Sequence, residues 1–140
     1  PDWCMVDMHG NIIKAEDRSC DYGWESVRVP MRIGLDVSWY RSAEAHKILK
    51  NICQVLQKSF VDLGEIKAVY RYTGDPSAKH GSLPAIAMAY FAAQVLNIET
   101  DNLRDAFMSK LRENSLSQNY YGQSLAFFPL AFENQILKKP

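Results

Sequence analysis

The sequence predicts an all-α fold of about five helices over a single unit, residues 1–140. Two observations carry that expectation. Three segments, at about 21–40, 82–97 and 120–137, are apolar on nearly every side, and helices of that kind are buried. The segments between them, at about 42–63 and 100–113, are apolar on one face only, as surface helices are. Alternation of inner and outer helices is what an α/α toroid or a helical-repeat array requires, because each inner helix needs an outer one to cover it. No repeat of fixed period is visible, which counts against a solenoid.

The elements follow in order. Residues 1–20 read as irregular: His9-Gly10-Asn11 is a turn signal, and Lys14, Glu16, Asp17 and Arg18 suit a surface loop. Asp21 is placed to cap the first helix, which runs to about Tyr40 with a kink expected at Pro30. Ser42 caps the second helix and Gly64 stops it. Its apolar face is Ile48, Leu49, Ile52, Val55, Leu56 and Phe60. Glu65–Tyr72 alternates enough for a short extended piece, and Thr73–Gly81 reads as a loop. The third helix starts at about Ser82 with Pro84 in its first turn, where proline is tolerated. The fourth begins at Thr100 and faces inward through Leu103, Phe107 and Leu111. The fifth carries Leu125, Phe127, Phe128, Leu130 and Phe132, with a second kink expected at Pro129.

Sixteen Lys and Arg balance sixteen Asp and Glu. Zero net charge without like-charge runs argues against nucleic acid or an anionic membrane as the main partner. No apolar run approaches the roughly 20 residues that span a bilayer. Cys4, Cys20 and Cys53 show no C-x-x-C spacing, so metal binding is not expected. They read either as three buried thiols or as a Cys4–Cys20 disulfide in an oxidising compartment. His9, His46 and His80 share no ligand spacing and read as surface residues.

The first helix holds the chemistry. Glu25, Arg28, Arg32, Asp36 and Trp39 recur at three and four residues and so share one stripe of an otherwise apolar helix. Buried charges must be paired or hydrogen-bonded, so the stripe suggests an ion-pair network, a polar cavity, or both. From spacing alone, Glu25–Arg28 reads as a structural ion pair, and Arg32 and Asp36 are spaced for another.

Trp24-Glu25-Ser26-Val27-Arg28-Val29-Pro30, followed by Arg32-Ile33, Asp36 and Trp39-Tyr40, resembles the C-terminal signature of glycoside hydrolase family 8. Pro1-Asp2-Trp3 looks like the segment just upstream in that family, and the likeness runs through most of the chain. The family comprises inverting endoglucanases, xylanases and chitosanases built on a twelve-helix (α/α)6 barrel. The resemblance therefore implies that residues 1–140 are the C-terminal portion of a larger catalytic domain, roughly twice this length or more. The fifth helix lacks an outer partner, so the missing half of the barrel or a second copy of the chain is expected to cover exposed apolar surface. Secretion is implied as well, with any signal peptide upstream of Pro1.

In most members the signature reads Tyr-Asp-Ala-x-Arg-x-Pro, and its aspartate is the general base. Here Glu25 stands where that aspartate is expected and Trp24 where the tyrosine is. The resemblance thus implies Glu25 as the base, with Arg28 orienting it. Inversion needs two carboxyl groups about 6.5–9.5 Å apart, one protonating the leaving oxygen and one activating a water. The base must be ionised, and a neighbouring cation favours that form. Glu for Asp moves the carboxylate by roughly 1.5 Å, one C–C bond. Sugar rings present C–H faces that stack on aromatic rings, and Trp24, Tyr22, Tyr120 and Tyr121 are the candidate substrate contacts; Trp3 and Trp39 read as core. No segment resembles the surroundings of the general acid, which is expected outside this chain. Two-carboxylate chemistry needs no metal or organic cofactor. The substrate class implied is a β-1,4-linked glucan, xylan or chitosan. The competing reading is a non-catalytic or degenerate helical module that binds glycan or acts as a scaffold.

Overall fold

The computed structural model describes residues 1–113 and 120–139. Seven elements follow in chain order: strands β1 (Cys4–Val6) and β2 (Ile12–Lys14), then helices α1 (Val29–Tyr40), α2 (Ala43–Leu63), α3 (Leu83–Val95), α4 (Asp101–Glu113) and α5 (Tyr120–Glu133). A 3-10 turn at Ser26–Arg28 leads into α1. The chain is all-α apart from the short hairpin.

α3 is the centre. It is buried from Leu83 to Ala93 without a break and packs against all four other helices. Five of its residues, Ala85, Ala87, Ala89, Ala92 and Ala93, are alanines without exposed surface, and small side chains let neighbours come close on every side. α1, expected to be buried on nearly every side, buries only Pro30 and Gly34. α2 is amphipathic as expected, burying Ala45, Leu49, Cys53, Leu56 and Ser59. α4 buries Leu103 and Phe107, and the Phe107 ring lies 5.5 Å from that of Tyr90 on α3.

The helix ends are set by local chemistry. Ser42 Oγ accepts the Ala45 N–H at 3.2 Å, and Ser82 Oγ accepts the Ala85 N–H at 3.2 Å, each satisfying a donor that the first helical turn leaves free. Gly64 closes α2 at φ 71°, a conformation open to glycine without strain. Asn97 closes α3 at φ 54°, with Asn97 N–H donating to Gln94 O and Ile98 N–H to Ala93 O, a Schellman pattern. The same pattern at Gln135, where Ile136 N–H donates to Ala131 O, ends α5 at Glu133 rather than near 137.

Four further expectations are corrected. The first helix begins at Val29, so Asp21 caps nothing and Pro30 sits in the first turn, where it is tolerated, rather than at a mid-helix kink. Residues 4–14 form an antiparallel hairpin pairing Cys4 with Lys14, closed by the Asp7 carboxylate, whose Oδ1 accepts the His9 and Asn11 amides at 2.8 Å each. Trp3 is exposed on that hairpin with the Arg18 guanidinium 5.0 Å from its ring centre, instead of buried in a core. The cysteines are free, and only Cys53 is buried; burial pushes its thiol up to about 11. The extended piece after α2 survives as isolated bridges, with Ile66, Ala68 and Tyr70 inside and Tyr72 outside.

α1 and α3 touch closely at Gly34. A Cβ there would lie 2.5 Å from Cε1 of the fully buried Phe91 ring, a flat group with no room to turn. Gly34→Ala is therefore expected to lower stability by about 1–3 kcal/mol through overpacking, despite alanine's better helix propensity, as read by urea denaturation.

Candidate active site

The segment between the hairpin and α1 is pinned at five successive residues, 22 to 26. Tyr22 N–H donates to Tyr70 O at 2.7 Å and Tyr70 N–H to Tyr22 O at 2.8 Å, a bridge to the strand-like piece after α2. Asp2 then gathers the following donors. Its Oδ1 accepts the backbone N–H of Gly23 at 3.1 Å, of Glu25 at 2.9 Å and of Ser26 at 2.8 Å, and the Ser26 hydroxyl at 2.8 Å. Gly23 is a glycine for a steric reason: a Cβ there would lie 2.9 Å from Asp2 Oδ2. Finally, the Tyr121 hydroxyl, from the first turn of α5, donates to Trp24 O at 2.8 Å.

This pinned loop presents Trp24 and Glu25 outward. The Trp24 side chain is exposed. The Glu25 carboxylate is ion-paired through Oε2 with Arg28 Nη2, and Arg28 Nε donates back to Glu25 O at 3.3 Å, so the guanidinium folds over the turn that carries its partner. Among the described residues Glu25 Oε1 accepts no hydrogen bond. The pair is 48% and 37% exposed, and exposed pairs contribute at most about 1 kcal/mol to stability, so its stabilising value is small. The Tyr121 phenol is raised above the ordinary tyrosine range, first by burial; Arg28 pulls it down, while Glu25 and Asp2 push it up.

Of the residues singled out from the sequence, the fold brings Trp24, Glu25, Arg28 and Tyr121 together. Tyr120 is exposed one position before Tyr121, and among the described residues no hydrogen bond or ring contact joins it to the other four. Tyr22 is elsewhere. Its hydroxyl is fully buried without a hydrogen-bond partner, and its ring is tilted against Tyr70 at 6.3 Å. The Tyr22 ring lines a cavity of about 940 Å³ between the hairpin and α2, with Trp3, Ile12, Ile52, Val55 and Tyr72 among its walls. Trp24, Glu25 and Arg28 are not in those walls. The charged stripe does not continue as a network. Arg32 is exposed and Asp36 half-buried, and among the described residues they form no ion pair.

Asp2 and Gly23 are the residues that sequence reasoning passed over. A lone aspartate some twenty residues before its partners has no periodicity to betray it. The only signal was its place in Pro1-Asp2-Trp3.

No family model matches the chain, and no solved structure matches it. The chain is similar to endoglucanase C of Ruminiclostridium cellulolyticum, with 24% identity over 135 residues. The match covers 94% of this chain and 27% of that protein, so the chain spans about a quarter of the relative's length.

Burial raises the Tyr22 phenol well above its ordinary value, with smaller contributions from Tyr70, Asp2 and Tyr121. The folded state therefore keeps a proton that the unfolded chain sheds near pH 10, and stability is lost as pH rises beyond that point. In Tyr22→Phe, denaturation midpoints measured between about pH 10 and 12 should fall less steeply, by about 1.4 kcal/mol per pH unit for the one proton removed. At pH 7 the variant should be more stable by about 1 kcal/mol, because an unsatisfied buried hydroxyl is gone.

Proposed function

We propose that this chain carries the general base and one wall of the cleft of an inverting glycoside hydrolase, of the kind that family 8 comprises, acting on β-1,4-linked polysaccharide. The observation that carries the reading is Glu25: it stands at the motif's base position, one carboxylate oxygen is tied to Arg28, and the other, unbonded among the described residues, can accept a proton. Trp24 and Tyr121 flank it. The similarity to an endoglucanase supports the same reading. On this reading the chain is the C-terminal part of an (α/α)6 barrel. The remainder of the barrel supplies the general acid and covers the open sides of α1 and α5.

The chemistry follows from the geometry. An acid on the far wall protonates the glycosidic oxygen as the bond to the anomeric carbon breaks. Glu25 Oε1 takes a proton from a water on the opposite face, and the oxygen of that water attacks the same carbon with inversion. Arg28 holds Oε2 and keeps the longer glutamate folded toward the turn, which offsets part of the roughly 1.5 Å that the extra methylene adds. The exposed Trp24 ring offers a stacking face to a sugar.

One observation favours a second reading. The Glu25–Arg28 pair lies in a solvent-facing position, as it would in a module that binds glycan without cleaving it. Glu25→Gln separates the two, because glutamine keeps the shape and cannot take the proton.

In the full-length gene product, Glu25→Gln should lower kcat by about 10²–10⁴-fold with sugar affinity little changed. Release of reducing ends from β-glucan, xylan and chitosan measures it and names the substrate; wild-type turnover in the variant would place the base elsewhere. Residues 1–140 alone should release no reducing ends, since one carboxylate of the two is absent. Turnover by that purified piece would sink the two-part site.

A further inference from the structure

We propose that Asp2 is a positioning residue for Glu25; the inference rests on the general-base reading given above. One oxygen of the Asp2 carboxylate binds the amides of residues 23, 25 and 26 and the hydroxyl of Ser26. The middle amide is that of Glu25 itself, so the bond fixes the direction in which the Glu25 Cα–Cβ bond leaves the backbone. Glu25, at the N-cap position of the 3-10 turn, makes no side-chain cap hydrogen bond, and the Ser26 hydroxyl, which accepts the Gly23 amide at 2.9 Å, is itself tied to Asp2. Charge-assisted bonds from a carboxylate to backbone N–H groups are shorter and about twice as strong as neutral ones. Here they converge on one atom.

Asp2 does not drift with the loop it holds. Its own amide donates to Asp21 O at 2.6 Å and the Trp3 amide to Ser19 O at 3.1 Å, so residues 2–3 are laced to 19–21. The carboxylate is a fixed post and the 23–26 loop hangs from it. Glutamate has one more torsion than the aspartate the motif expects, and each free torsion spreads the carboxylate over more positions. Two holds remove that freedom: Asp2 fixes the backbone end of Glu25, and Arg28 fixes the carboxylate end. Gly23 completes the arrangement by leaving space for Asp2 Oδ2, which a Cβ would approach to 2.9 Å.

The test uses the full-length protein with Asp2→Ala and Asp2→Asn, each made in the wild-type and Glu25→Gln backgrounds. Asp2→Ala should lower kcat by about 10²-fold, the scale of a misplaced catalytic group, with KM within about 2-fold of wild type. Asn retains an acceptor oxygen and should recover most of the loss. In the Glu25→Gln background Asp2→Ala should cost nothing further, since residues that act through one another are not additive. Amide hydrogen exchange should speed up at Glu25 and Ser26 and stay slow in α3. If Asp2→Ala does not fold, Gly23→Ala reads the same displacement and should lower kcat with KM unchanged.

Wild-type kcat in Asp2→Ala, or in Gly23→Ala where that variant stands in, overturns the inference while Glu25→Gln still collapses. An equal loss in both backgrounds, with KM and melting temperature moving together, also overturns it and leaves Asp2 a purely structural role. Full activity in Glu25→Gln is the separate result that sinks the general-base reading, and the inference falls with it.

Discussion

The Asp2 carboxylate closes the first two dozen residues into a loop whose two ends meet beside the start of α1. Much of the surrounding structure depends on that closure. Three backbone donors at 23, 25 and 26 precede regular helix and so have no carbonyl four residues back to take them. An unpaired donor shut away from water costs about 1–3 kcal/mol. Gathering them on one anion lets the chain turn sharply out of the Tyr22–Tyr70 bridge and into the 3-10 turn without leaving them empty. The bridge in turn anchors the Glu65–Ser82 segment, in which the Tyr70 hydroxyl donates to Ser59 Oγ at 2.8 Å and accepts the Lys67 amide at 2.8 Å. One charge at residue 2 therefore connects to the back of α2 through a continuous set of short bonds.

α3 supplies the rigid floor on which this rests. Its uniform apolar character gives it no polar face to set its rotation, so neighbours must fix it. They do so through specific shapes: the Phe132 ring of α5 stands edge-on to Phe91 at 5.5 Å. The Tyr90 hydroxyl donates to Glu133 Oε2 at 3.3 Å, while Arg104 of α4 holds the other oxygen at 3.0 Å. That three-residue contact joins the C-terminal end of α5 to the first turn of α4 and the middle of α3. The first turn of α5, which carries Tyr121, is thereby aimed at Trp24 from a fixed base.

The legible and illegible parts of the sequence divide along physical lines. Helices α2 to α4 are legible to within a few residues because their signals are local: Ser42, Gly64, Pro84 in a first turn, Thr100, and the apolar patterning. Glu25, Arg28 and Trp24 were readable as a group because the motif is contiguous. The start of α1 was misplaced because the apolar run from 21 to 40 hides a non-local event. Asp2, remote in sequence, holds residues 23–26 in another conformation, and Pro30 marks the first turn rather than a kink. The bridge that turns Tyr22 is illegible for the same reason. The partner, Tyr70, lies nearly fifty residues away, and adjacency to Trp24 in sequence says nothing about which way a bridged residue faces. The hairpin at 4–14 was overlooked because both its strands are exposed, three residues long and without a buried face to impose alternation.

The close passage of Gly34 over Phe91 has a consequence for how such a chain can change its length over evolutionary time. A helix turns about 100° per residue. One residue inserted between Pro30 and Gly34 would therefore swing a side chain into the place now kept empty against the ring and carry the loop before it round by the same angle. Insertions in the exposed turn at Asp7–Asn11 or in the stretch after Tyr72 meet no such obstacle. Lengthening is thus tolerated on the outside of this fold and forbidden along α1, whose few residues between glycine and turn act as a spacer of fixed phase.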